Sequence, residues 1–332
     1  MGLPEIFISF QTAAVSAITR SARGVLAVAV KDATAGGATE AAYKSLAEVP
    51  EDKFSPENYR LLKLAFLAAP TKVWVLRVGE DAEKTYQALE RLRFDWLAAP
   101  GLEDARVMSF IKTLRSGGRG VKAVVANAKA PDCEGIVNLC VSGLTLEDGA
   151  LEAKDYAVRV AALLAALPLT RSATYVNLPE VVGCDALAEP DADVDAGKLI
   201  IVPGREGYRL GRAVNSLTTL TPDKAAPFQK IKIVEGIDLI RGDIAKAFES
   251  GYVGKVLNDY DNKLLLVTAI NAYLKGLEGD VLDKTADNRC FVSLSGQRSY
   301  LESRGTDTSE MKDTDILDPD KLKTAKPDMA IL

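Results

Sequence analysis

Short apolar runs alternate with amphipathic stretches over the first two hundred residues, and this rhythm constrains the fold more than any other feature. GVLAVAV at 24–30 is apolar without a break, the pattern of a strand covered on both faces. A helix opens at Ser55 with Pro56 in its first turn, and Pro70 ends it. KVWVLRV at 72–78 is the next strand, and DAEKTYQALERLRF at 81–94 the next helix, capped by Asp81. DWLAAPG, LEDARVMSFIKTLRSGG and VKAVVAN repeat the strand–helix–strand order. NLCVSG, the helix KDYAVRVAALLAAL and the strand ATYVN follow. Such alternation implies an α/β fold with a central, mostly parallel sheet flanked by helices. Residues 187–197 read as an acidic loop leading into the strand KLIIV. A domain boundary is expected near Gly204, giving an α/β domain over 21–204 that divides into 21–95 and 96–204. A smaller α+β domain then takes 205–305, and 306–332 is a polar tail expected to be mobile.

Composition narrows the chemistry. The 332 residues contain no histidine, which removes the commonest general base and metal ligand and every Ser-His-Asp or Cys-His arrangement. Cys133, Cys140, Cys184 and Cys290 are widely spread and form no CxxC pair, so neither a zinc site nor a disulfide framework is expected. Reduced and mostly buried thiols are the expectation. The formal charge is −5 with no basic tract, which argues against a nucleic-acid partner.

The glycine-rich stretches fail as phosphate loops. SGGRGVKA at 116–123 precedes a strand, whereas a phosphate loop runs from strand into helix, so these glycines end a helix. GREGYRLG at 204–211 is a turn between strands. EPDADVDAG at 189–197 lacks EF-hand spacing and reads as a solvated acidic loop. No catalytic, metal or cofactor site is expected. AVRVAALLAALPL at 157–169 carries Arg159 and is too short to span a membrane. Pro4 and Glu5 interrupt any signal-peptide pattern, and Ile6 stands where a myristoylation signal needs Ser or Thr.

Residues 212–283 hold two helices joined by a loop rich in Gly, Tyr and Lys. Ile233, Ile237, Ile240, Ile244 and Phe248 fall on one helical stripe, and Leu266, Ile270, Leu274 and Leu277 on a second. Asp261 sits in the first turn of the later helix, where the dipole favours it. Lys230, Lys232, Arg241 and Lys246 alternate with Glu235, Asp238, Asp243 and Glu249, which on the residues alone reads as a solvated charged face. At the start of the chain, PEIFISF at 4–10 reads as a strand with Ile6, Ile8 and Phe10 on one face and Phe7 on the other. Two readings of it stay open: an edge strand of its own domain, or an arm that pairs with another molecule.

The run AVNSLTTLT, then KIKIVEGIDLIRGDI, then YVGKVLNDYDNKLLLVTAINAYLKGLE resembles the C-terminal domain of contractile tail sheath proteins. GLPEIFISFQTAAVSAITRSARGVLAVAVKD at 2–32 resembles the start of the compact sheath proteins of Gram-positive prophages and phage-tail-like bacteriocins. The resemblance implies a subtilisin-like α/β domain, without the activity, since the histidine is missing. It implies a structural subunit, not an enzyme, that polymerises with itself as six-fold rings in a helical polymer around an inner tube. Its further partners would be the tail tube protein and the baseplate and tail terminator proteins, with no nucleic acid and no direct membrane contact. It would assemble in the bacterial host cytoplasm and end in the phage tail or extracellular particle. The arm reading of residues 1–20 follows, with Ile6, Phe7, Ile8 and Phe10 linking copies by β-augmentation. Ile331 and Leu332 would be a second link, although the chain stops at PDMAIL where sheath proteins usually continue. Lys230, Lys232, Arg241 and Lys246 would face the tube. The alternatives are a soluble α/β small-molecule enzyme or binding protein, using the crevice at the carboxyl ends of the strands, and a structural protein of another assembly.

Overall fold

A strand that is apolar on both sides must be covered on both sides, and the sheet is built that way. The computed structural model describes residues 17–257 and 259–317. They form two compact units. The first is Ser21–Gly242, and the second has, among the described residues, 17–20 and 243–317. The division expected near Gly204 therefore falls inside the first unit.

In the first unit, β1 (Val25–Val30) and β2 (Glu40–Tyr43) precede α1 (Pro56–Phe66), β3 (Lys72–Arg77) and α2 (Ala82–Arg91). Then come β4 (Trp96–Ala98), α3 (Asp104–Ser116), β5 (Lys122–Ala126) and β6 (Ile136–Cys140). A short hairpin of β7 (Thr145–Leu146) and β8 (Gly149–Ala150) leads to α4 (Ala153–Ala166), β9 (Asn177–Leu178) and β10 (Val181–Gly183). The acidic loop contains a short helix, α5 (Pro190–Asp195), before β11 (Lys198–Pro203) and β12 (Tyr208–Leu210). The expected strand ATYVN is reduced to β9.

The nine-stranded sheet has the order β2-β3-β1-β4-β5-β6-β11-β12-β9. The pairs from β3 to β11 are parallel, while β2, β12 and β9 are antiparallel additions. Leu26, Val28 and Val30 of β1 join one core, and Ala27 and Ala29 the other. β4 and β5 divide their side chains the same way, as the period-2 geometry requires. α1 and α4 cover the first face, and α2 and α3 the second. α4 is buried almost all round from Tyr156 to Ala165, which its continuous apolar sequence demands. The one cation in that buried stretch, Arg159, donates from Nε to Glu180 Oε1 at 2.7 Å, and Tyr156 donates to the same oxygen at 2.8 Å. That carboxylate lies between β9 and β10, and β10 continues into the small sheet β10-β7-β8.

The helix ends follow local rules. Ser55 accepts from the Asn58 amide and Asp81 from the Glu83 amide. Gly118, at φ +91, follows the end of α3, so SGGRG does end a helix. At Gly101 a Cβ would lie 2.8 Å from the Val30 carbonyl carbon, so glycine lets the loop after β4 rest on the end of β1.

Asp32, just beyond β1, organises the loop above it. Its carboxylate accepts from the amides of Thr34 and Ser55, each at 2.9 Å, and from Asn58 Nδ2 at 2.8 Å. Burial works to raise its pKa, but these donors prevail and hold it at about 2, against an ordinary 3.8. A carboxyl depressed on folding adds stability above its unfolded pKa and loses it below. The urea midpoint should therefore fall as pH drops from 3.8 toward 2, and Asp32→Asn should flatten that part of the curve. Parallel curves for the two proteins would refute the assignment.

In the second unit, the latter part of α6 (Ile231–Gly251) is followed by α7 (Tyr260–Leu277), α8 (Leu294–Ser303) and α9 (Asp313–Leu317). Asp259 caps α7, accepting from the Asn262 amide at 2.8 Å. The face α7 buries is Ala269, Ile270, Tyr273 and Leu277, so Leu266 and Leu274 of the expected stripe are only half-buried. Tyr273 donates to buried Asp243 at 2.6 Å, and burial together with that acceptor pushes its phenol up. The tail expected to be mobile from Thr306 is folded as far as Leu317. Arg298 donates to the Thr308 carbonyl at 2.8 Å, the Thr308 hydroxyl donates to Glu302, and Ile316 is fully buried.

All four cysteines are free, but only Cys133 is buried; Cys140, Cys184 and Cys290 are half-buried. Burial pushes each thiol up, away from reactive thiolate.

Candidate functional site

The AVNSLTT stretch is polar yet turned inward. Asn215 is fully buried, donates to the Phe228 carbonyl at 2.7 Å and accepts from the Leu217 amide. Ser216 donates to the Cys133 carbonyl at 3.0 Å. Asp132 Oδ1 accepts from the amides of Thr218 and Thr219, which hold its carboxyl well below the ordinary range. These bonds fix the loop that delivers the chain to α6.

α6 enters with its acids facing in. The first half buries Ile231, Val234, Glu235 and Leu239, a stripe at helical spacing. The isoleucine stripe starts two residues later, about 200° around a helix, and so faces the opposite side. Ile233 is 39% exposed and Ile237 37%, while Glu235 is 4% exposed. The reading of the acids as solvated is therefore wrong for Glu235 and Asp238, which distant cations partner, and for Asp243, which is buried against the Tyr273 hydroxyl. Asp238 Oδ2 accepts from Arg115 NH1 at 2.8 Å and from Lys122 Nζ at 3.0 Å. Lys122 Nζ also lies 3.1 Å from Glu235 Oε1, and the second Glu235 oxygen meets the Arg23 guanidinium. Burial opposes the Asp238 charge, but Lys122 and Arg115 hold its carboxyl below the usual range. Arg115 continues to Glu134 at 3.2 Å, and Lys224 donates to Glu134 at 2.9 Å.

The expected basic residues fare differently. Lys230, Arg241 and Lys246 are exposed. Lys232 is half-buried and donates to the Thr170 carbonyl at 3.2 Å. With three acids turned inward, α6 offers Arg241 and Lys246, against Glu249 alone, on its exposed surface. Ile6, Phe7, Ile8, Phe10, Ile331 and Leu332 lie outside the described residues. A crevice of about 760 Å³ sits at the carboxyl ends of β1, β3 and β4, lined by Lys31, Asp32, Glu80, Glu103 and Arg106 among others. Its Asp32 is already committed to loop donors. Among the described residues no three Cys, Asp or Glu side chains gather in a way that could hold a metal, and no helix is long and apolar enough to cross a membrane.

The chain is 35% identical to the tail sheath protein of Clostridium phage phiCD119 over 335 aligned positions, which cover 95% of this chain and 91% of that protein. The chain belongs to the tail sheath protein family. Residues 223–289, containing all of α6 and α7, match the phage tail sheath C-terminal domain. Solved sheath proteins share the fold. The sheath tail protein of Desulfitobacterium hafniense superposes with a TM-score of 0.69 at 17% identity, covering 82% of this chain and 89% of that one. The helical sheath of the anti-feeding prophage in its contracted state superposes with a TM-score of 0.68 at 13% identity, covering 86% and 87%. The sheath-domain match begins at residue 223, ten residues after the AVNSLTT stretch starts at Ala213, yet the first half of α6 belongs to the α/β unit of this sheath protein.

Proposed function

We propose that the chain is the structural subunit of a contractile phage-tail-like sheath. Copies stack as six-fold rings into a helical polymer around an inner tube, and shortening of that polymer drives the tube through an envelope. The observation that carries this reading is the near full-length relationship to a phage tail sheath protein. The subunit works by touching copies of itself and turns over no substrate. Ile6, Phe7, Ile8 and Phe10, and at the other end Ile331 and Leu332, act as strands that pair with neighbouring copies. Such links survive rigid-body movement, because backbone pairs stay intact while flanking residues hinge. The baseplate and tail terminator proteins bound the polymer. Assembly takes place in the bacterial host cytoplasm, and the product is part of the tail or extracellular particle.

The exposed side of α6 faces the tube protein. Its support is the sorting of charge described above, which leaves Lys230, Arg241 and Lys246 to meet an acidic partner. Lys232 contributes less, since its ammonium is engaged at Thr170. Exposed ion pairs are worth about 0.2–1 kcal/mol each and are screened by salt, which suits contacts that must be remade after sliding. Changing Lys230, Arg241 and Lys246 together to Glu should cut co-sedimentation with the tube protein of the same particle about 10- to 100-fold. The melting temperature should stay near wild type, because all three side chains are exposed. Undiminished co-sedimentation would reject this surface as the contact, whereas absence of rings and tubes from concentrated wild-type protein would reject the sheath reading itself.

A further inference from the structure

The seven charges at the amino-terminal ends of the parallel strands form one continuous chain of alternating sign. It runs Arg23–Glu235–Lys122–Asp238–Arg115–Glu134–Lys224. The central members are almost sealed from water: the side chains of Lys122 and Glu235 are 4% and 5% exposed. Each end belongs to a different part of the first unit. Arg23 lies immediately before β1, where the N-terminal segment enters the sheet. Its carbonyl accepts from Thr71 Oγ1 at 2.7 Å, and the next amide, of Gly24, donates to Asp95 at 2.8 Å. Glu235 and Asp238 stand one helical turn apart on α6. Lys122 begins β5, and its ammonium also lies 5.5 Å from the centre of the Trp96 ring.

We infer that this chain of charges couples the root of the N-terminal segment to the first half of α6, so that the two open and close as one element. An apolar contact could slide and still bury its area. A buried ion pair is directional, and losing either member leaves the other uncompensated in a dry site, so the contact is all-or-none. Glu235 has Arg23 on one oxygen and Lys122 on the other, so removing Arg23 weakens the hold on α6, although Arg23 is more than 200 residues away in sequence. Conversely, loss of Asp238 leaves the buried Lys122 ammonium with less counter-charge, which pulls on Glu235 and so disturbs the carboxylate that Arg23 shares. The coupling rests on the sheath reading only for its use: strain on a terminal link held by a neighbouring copy would reach the helix that meets the tube.

Hydrogen exchange on the isolated full-length protein tests the coupling without polymer or partner. Arg23→Met should speed exchange about tenfold or more at residues 22–26 and also at 234–242, since losing a buried ion pair raises the local opening equilibrium by about tenfold or more. Arg23→Lys, which keeps the charge, should return both segments most of the way to wild-type rates. Asp238→Asn should speed exchange at 22–26 as well as in the helix. Acceleration confined to the substituted element in either variant would overturn the inference. If Arg23→Met does not fold, Asp238→Asn read at 22–26 decides alone. Polymerisation is read separately, so failure of the coupling leaves the sheath reading standing, and failure to form tubes leaves the exchange result intact.

Discussion

Removal of residues 2–18 should yield a folded, soluble monomer that forms neither rings nor tubes. The cut leaves Arg20, which pairs with Asp280 at 3.5 Å, and Arg23 with its buried partner, so the anchors of both units persist. What goes is the alternating segment Ile6, Phe7, Ile8, Phe10. A strand of that length turns about three or four backbone groups toward a neighbour, and each bond contributes about 1 kcal/mol net. Losing one link then costs about 4–6 kcal/mol with its side-chain burial, or on the order of 10³–10⁴-fold in association. A polymer held by such links at every subunit does not survive that loss. Electron microscopy is the direct readout, with thermal melting as the control for folding. Normal tubes from the shortened chain would mean that residues 2–18 do not join copies.

The largest stability effect is expected at Glu180. Its carboxylate is the acceptor for both Arg159 and Tyr156, in a stretch of α4 from Tyr156 to Ala165 that is otherwise Ala, Val and Leu. Glu180→Ala would leave a guanidinium that is 6% exposed without its counter-charge, and such losses cost about 3–5 kcal/mol. In a unit of this size each kcal/mol moves the midpoint by about 2–4 °C, so a fall of roughly 6–20 °C is expected. The paired change Arg159→Met with Glu180→Leu should recover most of it, because two apolar groups need no partner. A single variant melting within a degree or two of wild type would show that water reaches Arg159.

Much of the α/β unit was legible because its signals are local. β1, β3, β5 and β11 are apolar on successive residues, and Ser55, Asp81 and the glycines after α3 mark helix ends by rules that need only near neighbours. The orientation of α6 was not legible. The spacing of Ile233, Ile237, Ile240, Ile244 and Phe248 does define one side of a helix, but which side is buried depends on cations contributed by Arg23, Arg115 and Lys122, far away in sequence. A stripe with Glu235 and Asp238 in it carries no apolar signature. GREGYRLG is the turn between strands that its sequence suggests, with the Gly204 amide donating to the Gly207 carbonyl at 2.7 Å between β11 and β12, but Gly204 lies inside the first unit and the chain's later division falls within α6. The fold of residues 306–317 is tied by polar bonds at Thr308, whose carbonyl accepts from Arg298 and whose hydroxyl donates to Glu302, and polarity alone conceals them. Of the candidate surface, the exposure of Lys230, Arg241 and Lys246 was legible, while their inward-facing acidic neighbours were misjudged.

The inward turn of those acids gives the molecule an electrical polarity. A protein with a net charge of −5 carries a ridge of the opposite sign along one helix. At low ionic strength that ridge attracts any acidic surface, including the remainder of another copy, and steers the encounter before contact. At about 0.15 M salt the attraction reaches only about 8 Å, so a correct mate must arrive with its shape already matched. Solution conditions thus decide whether these molecules meet indiscriminately or in register.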